Sequence, residues 1–296
     1  MGAYNNKGSL IYQVKNRFRN LDATGQKKAT DPNNQYIHSF GTMKTYLKHS
    51  LDFATYCRKK YGCKTVEDCR PYVKEFIESN DYSSWVKKTQ RSALAKLYGV
   101  KSKDFGEIDT GSRSRATVKR SRGGTVREKH FSETGKYKAY VDFCKGTGLR
   151  KAEIENLRGT SFYRDENGKA FLKVTEGTKG GRYRDVPILE KYVKLVEDAC
   201  YKAGTNKVIP LIACDRLTAP NGANTHKYRA EYAKQLYDEL KRPLDIVPAK
   251  KRYYCRGDLK GTVYDKKAME IVSNALGHSR LNVIASSYLH GGIKIN

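Results

Sequence analysis

The sequence predicts a mostly α chain in two parts, a helical first third and a mixed α/β remainder holding a small antiparallel sheet. Three observations predict it. Apolar residues recur at helical spacing in several stretches on both sides of residue 100. Between 101 and 127, KSKDFGEIDTGSRSRATVKRSRGGTVR loses that periodicity and is rich in Gly, Ser, Lys and Arg. Two short β-type runs flank a single Gly-rich turn near residue 179. Together they place one domain at 1–105, a basic linker at 106–128 and a second domain at 129–296.

In the first part, Ser9–Leu21 reads as a short helix with Leu10, Ile11, Val14, Phe18 and Leu21 on one stripe. Phe40–Tyr61 is the strongest helix, with a wide apolar face, and Gly62 ends it. Thr65 and Asp68 form a capping-box pattern that opens a helix toward Ser79, with Pro71 inside the segment or at its first turn. Ser84–Leu97 follows, closed by Gly99.

Charge sets the partner class. Lys and Arg total 58 against 31 Asp and Glu, a formal charge of +27. That excess exceeds what solubility needs and calls for a polyanion, with nucleic acid ahead of a membrane surface. A basic scaffold protein would fit the charge but not the motifs that follow. Lys44, Lys48, Lys87 and Arg91 on the helices, and Arg113, Arg115, Arg120 and Arg122 in the linker, are candidate DNA phosphate contacts. The plain alternatives are solvated helix faces and a simple tether. The seven Cys are irregularly spaced, with no C-x-x-C pair, which argues against a zinc site or a disulfide framework. The lack of a long apolar run or an N-terminal cleavage signature leads to the expectation of an intracellular protein with no membrane partner.

The second part carries the chemistry. A helix is expected over Phe131–Phe143, followed by GTGLRKAEIENLRG. Gly148 breaks the first helix and Arg150 heads the next. An Arg at a helix N-terminus opposes the dipole but suits an anion held where the N–H groups point. Ala170–Val174 and Tyr183–Ile188 read as a hairpin with Lys179 at its tip, ordinarily a place for a solubility residue. Leu189–Ala203 is the next helix. In NTHKYRAEYAKQLYDEL, His226 and Arg229 stand three apart, on one helical face. LGHSRLNVIASSYLH, Leu276–His290, contributes His278 and Tyr288. By itself Tyr288 is one of 22 tyrosines.

The order GLR, Lys in a Gly-rich hairpin, H-x-x-R on a helix, LGH and a late Tyr resembles the tyrosine recombinase (phage integrase) family, most closely a bacterial mobile-element integrase or transposase. The resemblance covers roughly Phe131 to the end. It implies that the helical part is a core-binding domain and the mixed α/β part the catalytic domain. It also implies that Arg150, Lys179, His226, Arg229 and His278 are catalytic, that Tyr288 is the nucleophile, and that Glu153 supports Arg150. The implied reaction is reversible transesterification of DNA. Tyr288 attacks phosphorus, a 3′-phosphotyrosine forms and a 5′-hydroxyl leaves. The two Arg forks suit the non-bridging oxygens, Lys179 the leaving oxygen, His226 the phenolic proton, whose pKa is about 10, and His278 a phosphoryl oxygen. No metal or other cofactor is expected. The implied partners are double-stranded DNA and sister protomers: a homotetramer on two sites, monomer or dimer when free, in a bacterial cytoplasm beside the nucleoid. A type IB topoisomerase and a non-catalytic sequence-specific DNA-binding protein share parts of the pattern. The LGH-to-Tyr block and the bacterial-style domain order favour the recombinase over the topoisomerase, and the complete catalytic set favours it over a non-catalytic binder.

Three departures from the family pattern stand out. Arg229 and His278 are 49 positions apart, about twice the usual interval. The extra material, Arg242–Val263, has RYYCR and TVYD flanks that suit a basic hairpin beside the active site, with Lys251 and Arg252 as candidate DNA contacts. It is either a peripheral elaboration or a contact to DNA or a neighbouring subunit. Ten positions rather than nine separate His278 from Tyr288, and eight residues follow it, so coupling between protomers is expected to be reduced or made by another element.

Overall fold

The computed structural model describes residues 8–112, 135–178, 181–289 and 293–294. The chain forms two compact units, divided between residues 113 and 114.

In the first unit, helix α1 (Leu10–Asn20) opens where Ser9 Oγ accepts from the Tyr12 amide at 3.3 Å. Helix α2 (Phe40–Tyr61) ends at Gly62, whose φ of 67° closes the helix without a Cβ penalty. The Thr65 box is present in both directions: Thr65 Oγ1 accepts from the Asp68 amide at 3.2 Å, and the Asp68 carboxylate from the Thr65 amide at 2.8 Å. The segment from Val66 to Ser79 is neither one helix nor a connector followed by a helix opening at Pro71: it splits into α3 (Val66–Cys69) and α4 (Val73–Glu78). Pro71 is the reason. It has no N–H to donate, and the chain tightens into a 3-10 turn over Arg70–Tyr72. Helix α5 (Ser84–Leu97) completes the unit. Val14, Phe18, Phe53, Ile77 and Leu94 are its buried centre.

The second unit begins, among the described residues, with a 3-10 turn at Gly135–Tyr137 and helix α6 (Lys138–Thr147). The helix runs four residues beyond the expected Phe143, to Gly148 at φ 58°. Helix α7 (Lys151–Asn156) follows. Strands β1 (Phe162–Arg164), β2 (Ala170–Val174) and β3 (Arg184–Pro187) make one antiparallel sheet, with Leu172 opposite both Phe162 and Val186. Strand β1 went unread in the sequence because three residues are too few to show alternation. Helices α8 (Val193–Ala203) and α9 (Ile209–Ile212) lead to α10 (Thr225–Leu240). Tyr228, Arg229, Tyr232, Ala233 and Leu236 are buried along α10, which packs on α6 and on α11 (Lys266–Ala275). The material before α11 is a hairpin, as its flanks suggested: β4 (Arg252–Tyr254) pairs with β5 (Thr262–Asp265), Tyr253 opposite Tyr264. After α12 (Leu281–Ser287), β6 (Ile293–Lys294) adds to the free edge of β5. Among the described residues no helix is long and apolar enough to cross a membrane.

Gly159 lies where α8 ends against the turn before β1. A Cβ there would sit 2.1 Å from the Cys200 carbonyl oxygen and 2.6 Å from that of Gly204, both backbone atoms that cannot step aside. Gly159→Ala is therefore expected to destabilise the unit by about 2–3 kcal/mol, in the upper part of the overpacking range. Gly168→Ala, where φ is +76° but nothing lies within 4 Å, is expected to lose only ~1 kcal/mol. Urea unfolding of the two variants side by side measures the difference.

Candidate functional site

The site is built around the C-terminal end of α11. The last carbonyls of a helix lack intrahelical donors and carry partial negative charge. Here guanidinium groups supply the donors. Leu276 O accepts from Arg150 Nη2 at 3.1 Å and from Arg229 Nη2, and Ala275 O accepts from Arg184 Nε at 2.8 Å. Gly277, at φ 62°, turns the chain away. A Cβ on it would stand 3.3 Å from the Arg184 guanidinium.

Glu153 holds the same arginines from the other side. Its carboxylate is 1% exposed, one turn into α7. It accepts from the Arg150 amide at 2.8 Å, from Arg150 Nη1 at 2.7 Å, and from Arg184 Nη1 and Nη2 at 3.1 and 2.8 Å. Burial pushes its pKa up, but the Arg184 fork, the Arg150 amide and Arg229 more than offset this, so the carboxyl titrates below its ordinary range.

Arg229 is 1% exposed, in the second turn of α10. Besides Leu276 O, it donates through Nη1 to Gly148 O and through Nε to Tyr288 Oη at 3.3 Å. Burial lowers its pKa, opposed by the adjacent Tyr288, yet a guanidinium keeps its charge in proteins. The tyrosine stands at the end of α12, 8% exposed, its amide donating to Ile284 O at 3.1 Å. His278 Nε2 lies 3.2 Å from the same Tyr288 oxygen. His278 is itself fixed by a reciprocal pair with Ser273: its amide donates to Ser273 O at 2.9 Å, and Ser273 Oγ donates to its carbonyl at 3.1 Å.

Four of the residues singled out in the sequence therefore converge: Arg150, Arg229, His278 and Tyr288. His226 is exposed in the first turn of α10, one turn ahead of Arg229. Lys179 lies outside the described residues, as do Arg113, Arg115, Arg120 and Arg122. Lys44 and Lys48 are exposed on α2, with Lys48 2.8 Å from Asp52. Lys87 is half-buried and donates to Glu78 O at 3.1 Å. Arg91 donates to the carbonyls of Ser102 and Gly106 at 2.9 and 2.8 Å, which ties the end of the first unit to α5. Lys251 is exposed beside β4, and Arg252 donates through Nε to Val247 O at 2.7 Å.

The residue that sequence reading missed is Arg184. Its side chain is 7% exposed, on the same face of β3 as buried Val186. A charge at an inward strand position was the available signal, since such a group must find a buried partner.

Removing that partner has a signed consequence. Arg184→Ala leaves the Glu153 carboxylate buried with one guanidinium fewer and is expected to destabilise the second unit by about 3–5 kcal/mol at neutral pH. Because the folded pKa of Glu153 is depressed, its contribution is present above its ordinary value of 4.5 and is lost as pH falls through the folded value. The gap between wild type and variant in urea unfolding should thus narrow on acidification. A gap that stays constant into acid would contradict the assignment.

No family model and no curated protein sequence matches the chain. Solved structures do. The XerH site-specific recombinase, bound to a palindromic difH substrate in a post-cleavage complex, is similar over 93% of this chain and 90% of its own, at 15% identity and a TM-score of 0.54. The Tn1549 transposon integrase, residues 82–397 in complex with transposon right-end DNA, matches over 96% of this chain and 95% of its own, at 10% identity and a TM-score of 0.46. The first of these fixes the architecture: a mostly helical N-terminal region followed by a mixed α/β domain with small antiparallel sheets is the tyrosine-recombinase fold.

Proposed function

We propose that the protein is a site-specific DNA recombinase or integrase that cuts and rejoins DNA through a 3′-phosphotyrosine on Tyr288, serving integration, excision or transposition of a mobile element. The observation that carries this reading is the placement of Tyr288 Oη, 3.3 Å from Arg229 Nε and 3.2 Å from His278 Nε2, with Arg150 joined to Arg229 through one carbonyl. The formal charge of +27 supports DNA as the partner.

In this reading a scissile phosphate reaches Tyr288 Oη and meets cationic or hydrogen-bonding groups on both flanks. Tyr288 Oη bonds to phosphorus, the bond from phosphorus to the 5′-oxygen breaks, and the phenolic proton passes to His226. Lys179 returns a proton to the departing 5′-oxygen. Arg150, Arg229 and His278 hold the non-bridging oxygens as charge builds. The guanidinium of Arg229 needs no reorganisation for this, because the protein has already fixed it in a dry setting. Residues 1–105 act as the core-binding domain, 106–128 as the linker and 129–296 as the catalytic domain. Lys44, Lys48, Lys87, Arg91, Lys251 and Arg252, with the arginines at 113, 115, 120 and 122, contribute phosphate contacts. Four protomers assemble on two sites.

A duplex carrying the end of the protein's own element, nicked just downstream of the cleavage position, tests this. The expected result is a covalent adduct on the 3′ side, abolished in Tyr288→Phe and slowed about 100- to 1,000-fold in Arg229→Ala, as for loss of a transition-state donor. Tyr264 is buried, with Oη donating to Leu289 O at 3.1 Å, so Tyr264→Phe should keep the adduct. An adduct that survives Tyr288→Phe would overturn the reading. Exchange between two labelled sites, rather than relaxation of supercoiled plasmid alone, separates a recombinase from a topoisomerase.

A further inference from the structure

A cavity of about 650 Å³ lies between the β4–β5 hairpin and α12, and the chemistry above makes no use of it. Its size falls within the ~300–1,000 Å³ typical of small-ligand sites. Lys250, Arg252, Arg256 and Lys266 line it, and among its described lining residues none is acidic. Tyr254, 51% exposed, and Ala285 of α12, 3% exposed, are both among its lining residues.

The hairpin is held firmly enough to be a binding surface. Asp265, at the end of β5, is 1% exposed and takes both Arg242 Nε and Nη2, at 2.8 and 2.7 Å. The same carboxylate caps α11 through the Lys267 amide at 3.1 Å, and the Asp265 amide donates to Tyr237 Oη at 2.9 Å. The Arg242 pair is the main reason its carboxyl titrates at about 2. Tyr253 and Tyr254 both line the cavity; Tyr253 is half-buried against the core, and Tyr254 is the exposed ring.

The lining selects a ligand by its chemistry. Clustered cations ask for an anion, and an exposed aromatic ring in a lining that also holds Leu259, Leu281 and Ala285 asks for a flat, apolar face. A nucleobase carrying a phosphate has both. An acidic peptide would satisfy the cations and leave the ring without a partner. A paired base in a duplex keeps its faces inside the stack, whereas an unpaired one offers them. Position favours a strand near the reaction centre, because Ala285 lies one turn before Tyr288 on α12.

We propose that this cavity takes an unpaired nucleotide of the DNA strand beside the cleavage point, its base stacked on Tyr254 and its phosphate held by Arg252 and Arg256. The proposal rests on the recombinase reading only for the source of the strand. It would let the protein hold a strand end out of the duplex while the exchanging strands change partners.

The test uses the full chain with two fluorescent DNA probes at one salt concentration, a duplex and the same duplex carrying a short unpaired thymine bubble. Wild type is expected to prefer the bubble. Tyr254→Ala should weaken bubble binding by about 5- to 100-fold, the worth of one base–aromatic stack, and leave duplex binding unchanged. Tyr254→Trp should restore it, which separates stacking from a folding defect. Arg256→Ala should weaken bubble binding and lower its salt dependence by about one ion. Equal losses on both probes, no bubble preference in wild type, or no change in Tyr254→Ala would each overturn the proposal. So would displacement of the bubble probe by free thymidine monophosphate, which would mark a free-nucleotide site instead. The nicked-duplex adduct is scored in parallel. If wild type forms no adduct yet the bubble preference tracks Tyr254, the recombinase reading fails while the cavity assignment stands.

Discussion

One buried carboxylate organises the second unit's candidate site. Glu153 is enclosed, and such a group is tolerated only when fully paired. Its partners come from three places in the chain: the head of α7, the strand β3 and, through the arginines, the end of α11. Since each guanidinium is planar and forked, satisfying Glu153 and the α11 carbonyls together leaves little choice of orientation. Arg150 is thereby fixed from two directions, and the carbonyl it shares with Arg229 links the groups to Tyr288. The electrostatic cost of burial and the geometric order of the site are one and the same constraint.

Much of this was legible in the sequence, for identifiable reasons. Helices α2, α5 and α10 announce themselves because long amphipathic stretches with Gly or polar caps leave few alternatives. The hairpin at Arg252–Asp265 was readable from its aromatic and β-branched flanks around a Gly-containing middle. Arg150, Arg229, His278 and Tyr288 were readable as residue types in a distinctive order. What escaped was whatever depends on contacts distant in sequence. Arg184 is 31 positions from Glu153, and the acceptor that Arg150 and Arg229 share, Leu276 O, is a backbone atom that has no letter in the sequence. The three-residue strand β1 and the four-residue helix α9 are too short for any periodicity to show.

The material between α10 and α11 looked like an interruption of the site, and it is joined to it structurally. Asp265 closes the hairpin, caps α11 and meets Tyr237 of α10, so the hairpin and the helix that gathers the arginines share one anchoring residue. Beyond Tyr288, Tyr264 of the same hairpin donates through Oη to the Leu289 carbonyl, and β6 returns to its edge. The hairpin therefore brackets α12 at its far end as well as preceding it in sequence.

The use of main-chain oxygens to seat Arg150, Arg184 and Arg229 has an evolutionary corollary. A carbonyl at the end of a helix is supplied by any residue, so these bonds themselves do not select the side chains at 275 and 276, which burial in the core constrains instead. Exchanges at those buried positions that keep the packing leave the acceptors in place, whereas a single-residue insertion within α11 would shift the acceptors of all three arginines at once. Sequence divergence and geometric divergence are thereby uncoupled at this spot, which is one physical route by which a chain can share a fold with a solved recombinase at 15% identity.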